Sequence, residues 1–168
     1  VPAWVTDEAL ADARAGGPPA FFSEHLEAEG MVWRSLNLEE RDYRGFPRSR
    51  DWFGDGALVL VDLSGHTRGH IGLFVNLPDQ RTFFFIGDTT WTLTGIELNR
   101  PRPQITQWLT GVDHDREQNT AQIARIVALR ESDPSITVVP AHDEHAADAI
   151  PEWPERLTVN LTVMADNP

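Results

Sequence analysis

Ser64-Gly65-His66-Thr67-Arg68-Gly69-His70 is the stretch on which the reading of this chain turns. Ahead of it run residues 57–63 (ALVLVDL) and behind it residues 71–77 (IGLFVNL), two apolar, β-branched segments that read as strands. Two glycines between them let the backbone turn sharply and bring His66 to the edge of a sheet. A third run, residues 82–86 (TFFFI), follows the turn residues Pro78-Asp79-Gln80 and leads into Gly87-Asp88. An aspartate at the end of so apolar a strand needs a partner, because an unpaired buried carboxylate is costly. A fourth short strand, residues 136–139, runs into Pro140-Ala141-His142-Asp143. His66, Asp88 and His142 are thus two imidazoles and a carboxylate, each delivered by the end of a different strand. That donor set suits zinc and other divalent transition metals. Each residue alone also has a common structural explanation: a hydrogen-bonded strand-end histidine, or an aspartate capping a turn at Thr89-Thr90.

Working outward, the strands are apolar at nearly every position, which predicts cover on both faces of the sheet. Thr6-Asp7-Glu8 before Ala9, Leu10 and Ala13 opens a capped helix that Gly16-Gly17 ends. Pro18-Pro19 opens a second helical stretch with Phe21, Phe22, His25 and Leu26, terminated at Gly30. Residues 31–38 read as a strand, 39–56 as a long polar loop and 91–114 as irregular. Asp115 with Gln118 starts a helix through Ile123, Ile126, Val127 and Arg130 that stops before Asp133-Pro134. The six tryptophans are expected mostly in core or domain-surface packing, with one or two lining a cleft. His114, His145 and the tripeptide Asn160-Leu161-Thr162 carry weaker signals, read as surface features.

Composition narrows the chemistry. A length of 168 residues suits one domain. All 14 basic residues are arginine, so a Schiff-base or P-loop lysine is excluded. With no cysteine there is no disulfide and no thiolate ligand, and a metal must be held by His, Asp, Glu or backbone oxygen. A net charge of −12 argues against nucleic acid or an anionic membrane as partner. No run of transmembrane length and no signal-peptide pattern is present, which leads to the expectation of a cytoplasmic protein acting on a small molecule. The chain starts at Val1, from which we expect a processed protein or a piece of something longer.

Gly65-His66-Thr67-Arg68-Gly69-His70 resembles the GHTxGH motif of the metallo-β-lactamase superfamily. Ile86-Gly87-Asp88 resembles its GD motif, and Val139-Pro140-Ala141-His142-Asp143 its final histidine motif, in the same order and at fitting separations. The similarity spans residues 30–145 and is greatest to the branch that includes glyoxalase-II-like enzymes and quorum-quenching lactonases. It implies an α+β fold, the αββα sandwich, of which this chain supplies mainly the C-terminal half as a single partial domain over residues 1–168. It implies that His66 binds one metal, Asp88 bridges two, and His142 binds the second. His70 would be structural or would hydrogen-bond the ligands. The implied activity is hydrolysis of an ester, lactone, thioester or related bond by a metal-bound hydroxide, with zinc as the expected metal and manganese or iron sharing these ligands.

The chain departs from that family pattern in three places. The HxHxDH signature is absent, and His25 has no partner to replace it. Each metal would keep one histidine and the shared Asp88, too few donors for four-coordinate zinc. The 168 residues alone are therefore expected to bind metal weakly and to be inactive, with the missing N-terminal half or a homo-oligomer covering the sheet. Ser64 and Arg68 replace prolines of the motif, and Arg68 puts a cation beside the site. Trp91 stands where the lactonases carry a tyrosine, and can wall the pocket or donate through its ring nitrogen. Two other readings are a non-catalytic half-domain, and a mononuclear iron oxygenase using His66, Asp88 and His142 as a two-histidine, one-carboxylate triad.

Overall fold

The computed structural model describes residues 2–17, 21–105, 108 and 111–150. The tail from Glu152, with Trp153 and Asn160-Leu161-Thr162, lies outside them, as does Pro18-Pro19. Strand β1 (Pro2–Val5) pairs in parallel with β2 (Val32–Ser35). Between them helix α1 (Asp7–Ala15) is capped as its sequence predicts, the Thr6 side chain accepting from the Ala9 N–H. The expected second helix shrinks to α2 (Ser23–Leu26).

The main sheet has the order β3-β4-β5-β6-β7, formed by β3 (Ser49–Asp51), β4 (Leu58–Asp62), β5 (Ile71–Asn76), β6 (Thr82–Gly87) and β7 (Ile136–Pro140). Neighbours run antiparallel except β6 and β7, which are parallel. The crossover between those two carries α3 (Leu93–Glu97), inside the stretch expected to be irregular, and the long α4 (Arg116–Ser132). Asp115 caps α4 by accepting from the Gln118 N–H at 2.9 Å, as the spacing of the two residues predicts. A last turn, α5 (Glu144–Ala147), follows β7. β3 was not expected: its residues Ser49-Arg50-Asp51 are polar, and the strand exists because it pairs with β4.

The two faces of the sheet differ. Val59, Phe74, Phe84 and Val138 lie in register across four strands and are buried. They pack on Ile123, Ile126 and Leu129, the apolar stripe of α4. Phe74 and Phe84 stack with ring centroids 3.8 Å apart. On the opposite face Leu60, Leu73, Phe85 and Val139 form the next cross-strand row. Val139 is buried, but Leu60, Leu73 and Phe85 are only half-buried, as are Leu58 and Val75 beside them. The expectation of cover on both faces therefore holds for one face of the described chain. Consecutive strand residues point to opposite sides, and α4 covers one side only. The arrangement, a mostly antiparallel sheet with a helix on one face and an apolar other face, is that expected of half of a sandwich.

Of the two kinds of packing expected for the tryptophans, core or surface, the described ones show the second, since none belongs to the fully buried core. Trp4 instead meets Trp52 edge to face at 5.1 Å at the surface.

The asymmetry of the sheet predicts unequal costs. Phe74→Ala should destabilise the chain by about 3–5 kcal/mol, because it opens a cavity in the packed face. Leu73→Ala, one residue away on the other face, should cost roughly 1 kcal/mol, because less area leaves contact. Urea denaturation of both variants measures the difference.

Candidate metal centre

Strand direction brings the three sequence motifs to one edge. β4 ends and β5 begins at the same end of the sheet, joined by residues 63–70. β6 runs antiparallel to β5, so Gly87 reaches that end too, and parallel β7 brings Pro140 opposite Gly87. The Ala141 N–H donates to the Gly87 carbonyl at 3.0 Å and ties the two strand ends together.

His70 joins the first motif to the second. Its Nδ1 lies 3.3 Å from the Leu63 carbonyl, which can only accept, so Nδ1 carries the proton. Nε2 then accepts from the Asp88 N–H at 3.4 Å. Burial, with His66 adding to it, lowers the His70 pKa from its ordinary value and favours this neutral form. His70 therefore holds the backbone of Asp88. Gly87 is a glycine for two reasons. Its φ is +51°, and a Cβ there would lie 2.5 Å from His70 Nε2.

Asp88 and His142 meet: His142 Nε2 lies 2.8 Å from Asp88 Oδ1. That carboxylate oxygen is buried and makes no aligned hydrogen bond within the protein. A carboxylate oxygen so placed and an imidazole nitrogen facing it are two donors of the kind a divalent cation takes, so the residues fit that use. Asp143 steadies the segment carrying His142. Its Oδ2 accepts from the Leu93 N–H at 2.8 Å and its Oδ1 from the Ala146 N–H at 3.0 Å, and these bonds lower its pKa.

His66 lies one ring further on, 5.7 Å from His70 between centroids. Its Nδ1 is 3.2 Å from Asp113 Oδ1. Asp113 is fully buried and is also reached by Arg102 Nη1 at 2.5 Å and Asn119 Nδ2 at 3.3 Å. Arg102 Nη2 donates to the Asp88 carbonyl, and the Trp91 ring covers the guanidinium at 4.9 Å. Burial lowers the Arg102 pKa, against the opposing pull of Asp113 and Asp88. His66, His70, Asp88, Arg102 and Asp113 thus form a closed circuit of contacts. Asp88 and His142 touch directly, and His66 joins them through His70. Among the described residues no three His, Asp or Glu side chains converge closely enough to hold an ion by themselves.

Arg68 donates through Nε to His114 Nε2 at 2.8 Å and lies 3.8 Å from Asp12, so its charge is turned to the surface of this chain. Gly65 has a φ of +145°, and a Cβ there would lie 2.5 Å from the Asn119 backbone nitrogen. Sequence reasoning missed Asp113 and Arg102. His114, expected at the surface, is exposed, whereas Asp113 beside it is buried. Arg102 stands between Pro101 and Pro103 and carries no signal of its own.

No family model matches the chain. The N-acyl homoserine lactonase AttM of Rhizobium radiobacter is 32% identical over 79 residues, which is 47% of this chain and 27% of that protein. The metallo-hydrolase mfmC of Annulohypoxylon moriforme is 26% identical over 163 residues, covering 78% of this chain and 43% of its own. Among solved structures, a quorum-quenching N-acyl homoserine lactone hydrolase superposes with a TM-score of 0.65 at 14% identity, over 92% of this chain and 53% of that one. A second such lactone hydrolase, solved with N-hexanoyl-L-homoserine at its catalytic metal centre, gives 0.61 at 15% identity and 52% of its length. The chain spans about half the length of these structures and less than half of the curated relatives it matches. Among the described residues no helix is long and apolar enough to cross a membrane.

The geometry at Gly87 gives a direct test. Gly87→Ala should cost roughly 2 kcal/mol in a urea titration, from backbone strain at positive φ. It should also move the ring signals of His70 in an NMR spectrum.

Proposed function

We propose that this chain, whose fold and relatives are those of the metallo-β-lactamase superfamily on its lactonase-like branch, is part of a metal-dependent hydrolase of an ester, lactone, thioester or related bond. The observation that carries the reading is the meeting of Asp88 and His142 at the ends of neighbouring parallel strands, with a buried carboxylate oxygen turned to an imidazole nitrogen. His66, Asp88 and His142 are the residues that hold a divalent cation, zinc by preference for nitrogen and oxygen donors. Such a cation supplies charge that acidifies water and polarises a substrate carbonyl. The chain's own residues set the stage. His70 holds the Asp88 backbone in place. Trp91, exposed beside Asp88, offers an aromatic wall to the apolar part of a small substrate.

Residues 1–168 form a single domain that is incomplete by itself. The half-buried row of Leu60, Leu73 and Phe85 supports a second layer packed on it, and the relatives' greater length agrees. That layer comes from further chain or from a second copy, and it brings the remaining donors. The lactones opened by the AttM relative, N-acyl homoserine lactones, are the first substrate class to try.

Calorimetric titration of the 168-residue chain with zinc is expected to show weak binding that Asp88→Asn removes. Tight uptake of two equivalents would show a site complete without further donors, and binding unchanged in Asp88→Asn would end the metal reading. Once the second layer is supplied, lactone opening should fall in Asp88→Asn by more than the roughly 10–100-fold cost of altering a residue behind a ligand.

A further inference from the structure

Asp113 belongs to none of the three strand ends, yet it collects three contacts on one carboxylate oxygen with no exposure to solvent. A carboxylate only accepts, so its 3.2 Å contact with His66 places the proton on Nδ1. Nε2 is then the nitrogen that carries a lone pair for a ligand. We propose that Asp113 is the positioning residue of the centre: it fixes the tautomer and the ring orientation of His66, while Arg102 and Asn119 hold it in place. The inference rests on the reading of His66 as a metal ligand.

The support around Asp113 is built from several elements. Asn119, in the first turns of α4, donates from the same amide nitrogen to the Thr89 carbonyl at 3.0 Å, just beyond Asp88. Arg102 reaches Asp113 with one terminal nitrogen and the Asp88 carbonyl with the other. The main chain clips the two segments side by side. The His114 N–H donates to the His66 carbonyl at 2.9 Å, and the Asp115 N–H to the Gly65 carbonyl at 2.8 Å. A change at Asp113 is therefore felt at His66 through the ring and through both neighbouring peptides. The competing account is a structural ion pair between Asp113 and Arg102 that anchors the crossover and is indifferent to the state of the imidazole. Only the tautomer of His66 separates the two.

Nitrogen-15 NMR of the imidazoles in the metal-free chain at about pH 8, above the ordinary histidine range near 6.5, reads that tautomer. His66 protonated on Nδ1 is the expected result; His66 protonated on Nε2 in the unaltered chain overturns the proposal with no variant needed. In Asp113→Asn, His66 should shift toward the Nε2-protonated form and zinc affinity should fall about 10–100-fold. A folded Asp113→Asn chain with an unchanged tautomer and an affinity within about twofold would leave only the ion pair. If Asp113→Asn does not fold, the tautomer of the unaltered chain decides. His66→Ala keeps the two readings distinct. Zinc affinity unchanged in His66→Ala removes the ligand role itself. A loss in His66→Ala with none in Asp113→Asn removes only the positioning role.

Discussion

The site depends on β6 and β7 running parallel. Parallel strands end at the same edge of a sheet, so Asp88 and His142 emerge side by side, and the Gly87 carbonyl and Ala141 N–H close the gap between them. Parallel pairing cannot be made with a hairpin and requires a crossover. Here that crossover holds α3, Arg102, Asp113 and α4. The segment that makes the strands parallel therefore also supplies the helix that buries one face and the side chains that fix His66. Topology and site are one constraint seen at two scales.

The same constraint explains how burial is distributed. α4 can lie on only one side of the sheet, and Ile123, Ile126 and Leu129 fill the space above Val59, Phe74, Phe84 and Val138. The other side keeps Leu60, Leu73 and Phe85 half-buried. A soluble domain seldom leaves a contiguous apolar row without a partner. The proposed second layer and the proposed missing metal donors answer the same need, since the strand ends that carry Asp88 and His142 and the open face belong to the same strands.

Local signals in the sequence translated well where neighbours along the chain decide the structure. Thr6 and Asp115 cap their helices as their spacing predicts, and Gly65 and Gly69, the two glycines expected to turn the chain between β4 and β5, both take positive φ. The three motifs reached one edge because each closes a strand whose apolar run was plain. β3 was missed because its stability lies in pairing and its composition gives no sign of it. An indole fits a surface cluster such as Trp4 with Trp52, or a cation face such as Trp91 over Arg102, as well as a core, so composition alone did not choose among these places.

The amino-acid sequence by itself determined strands β2 and β4 to β7, the caps of α1 and α4, the absence of thiolate and lysine chemistry, and the identity of His66, Asp88 and His142 as the residues to watch. Those features follow from side-chain type and spacing along one segment. Only the tertiary structure decided that Asp113 is buried against His66 and that Arg102 joins Asp113 to the Asp88 backbone. Residues 66, 88, 102 and 113 lie far apart in the chain, and a charge reads as solvated until the fold removes the water around it. The paired electrostatics of this edge are set by which strand ends the sheet brings together, and that information is held in the pairing.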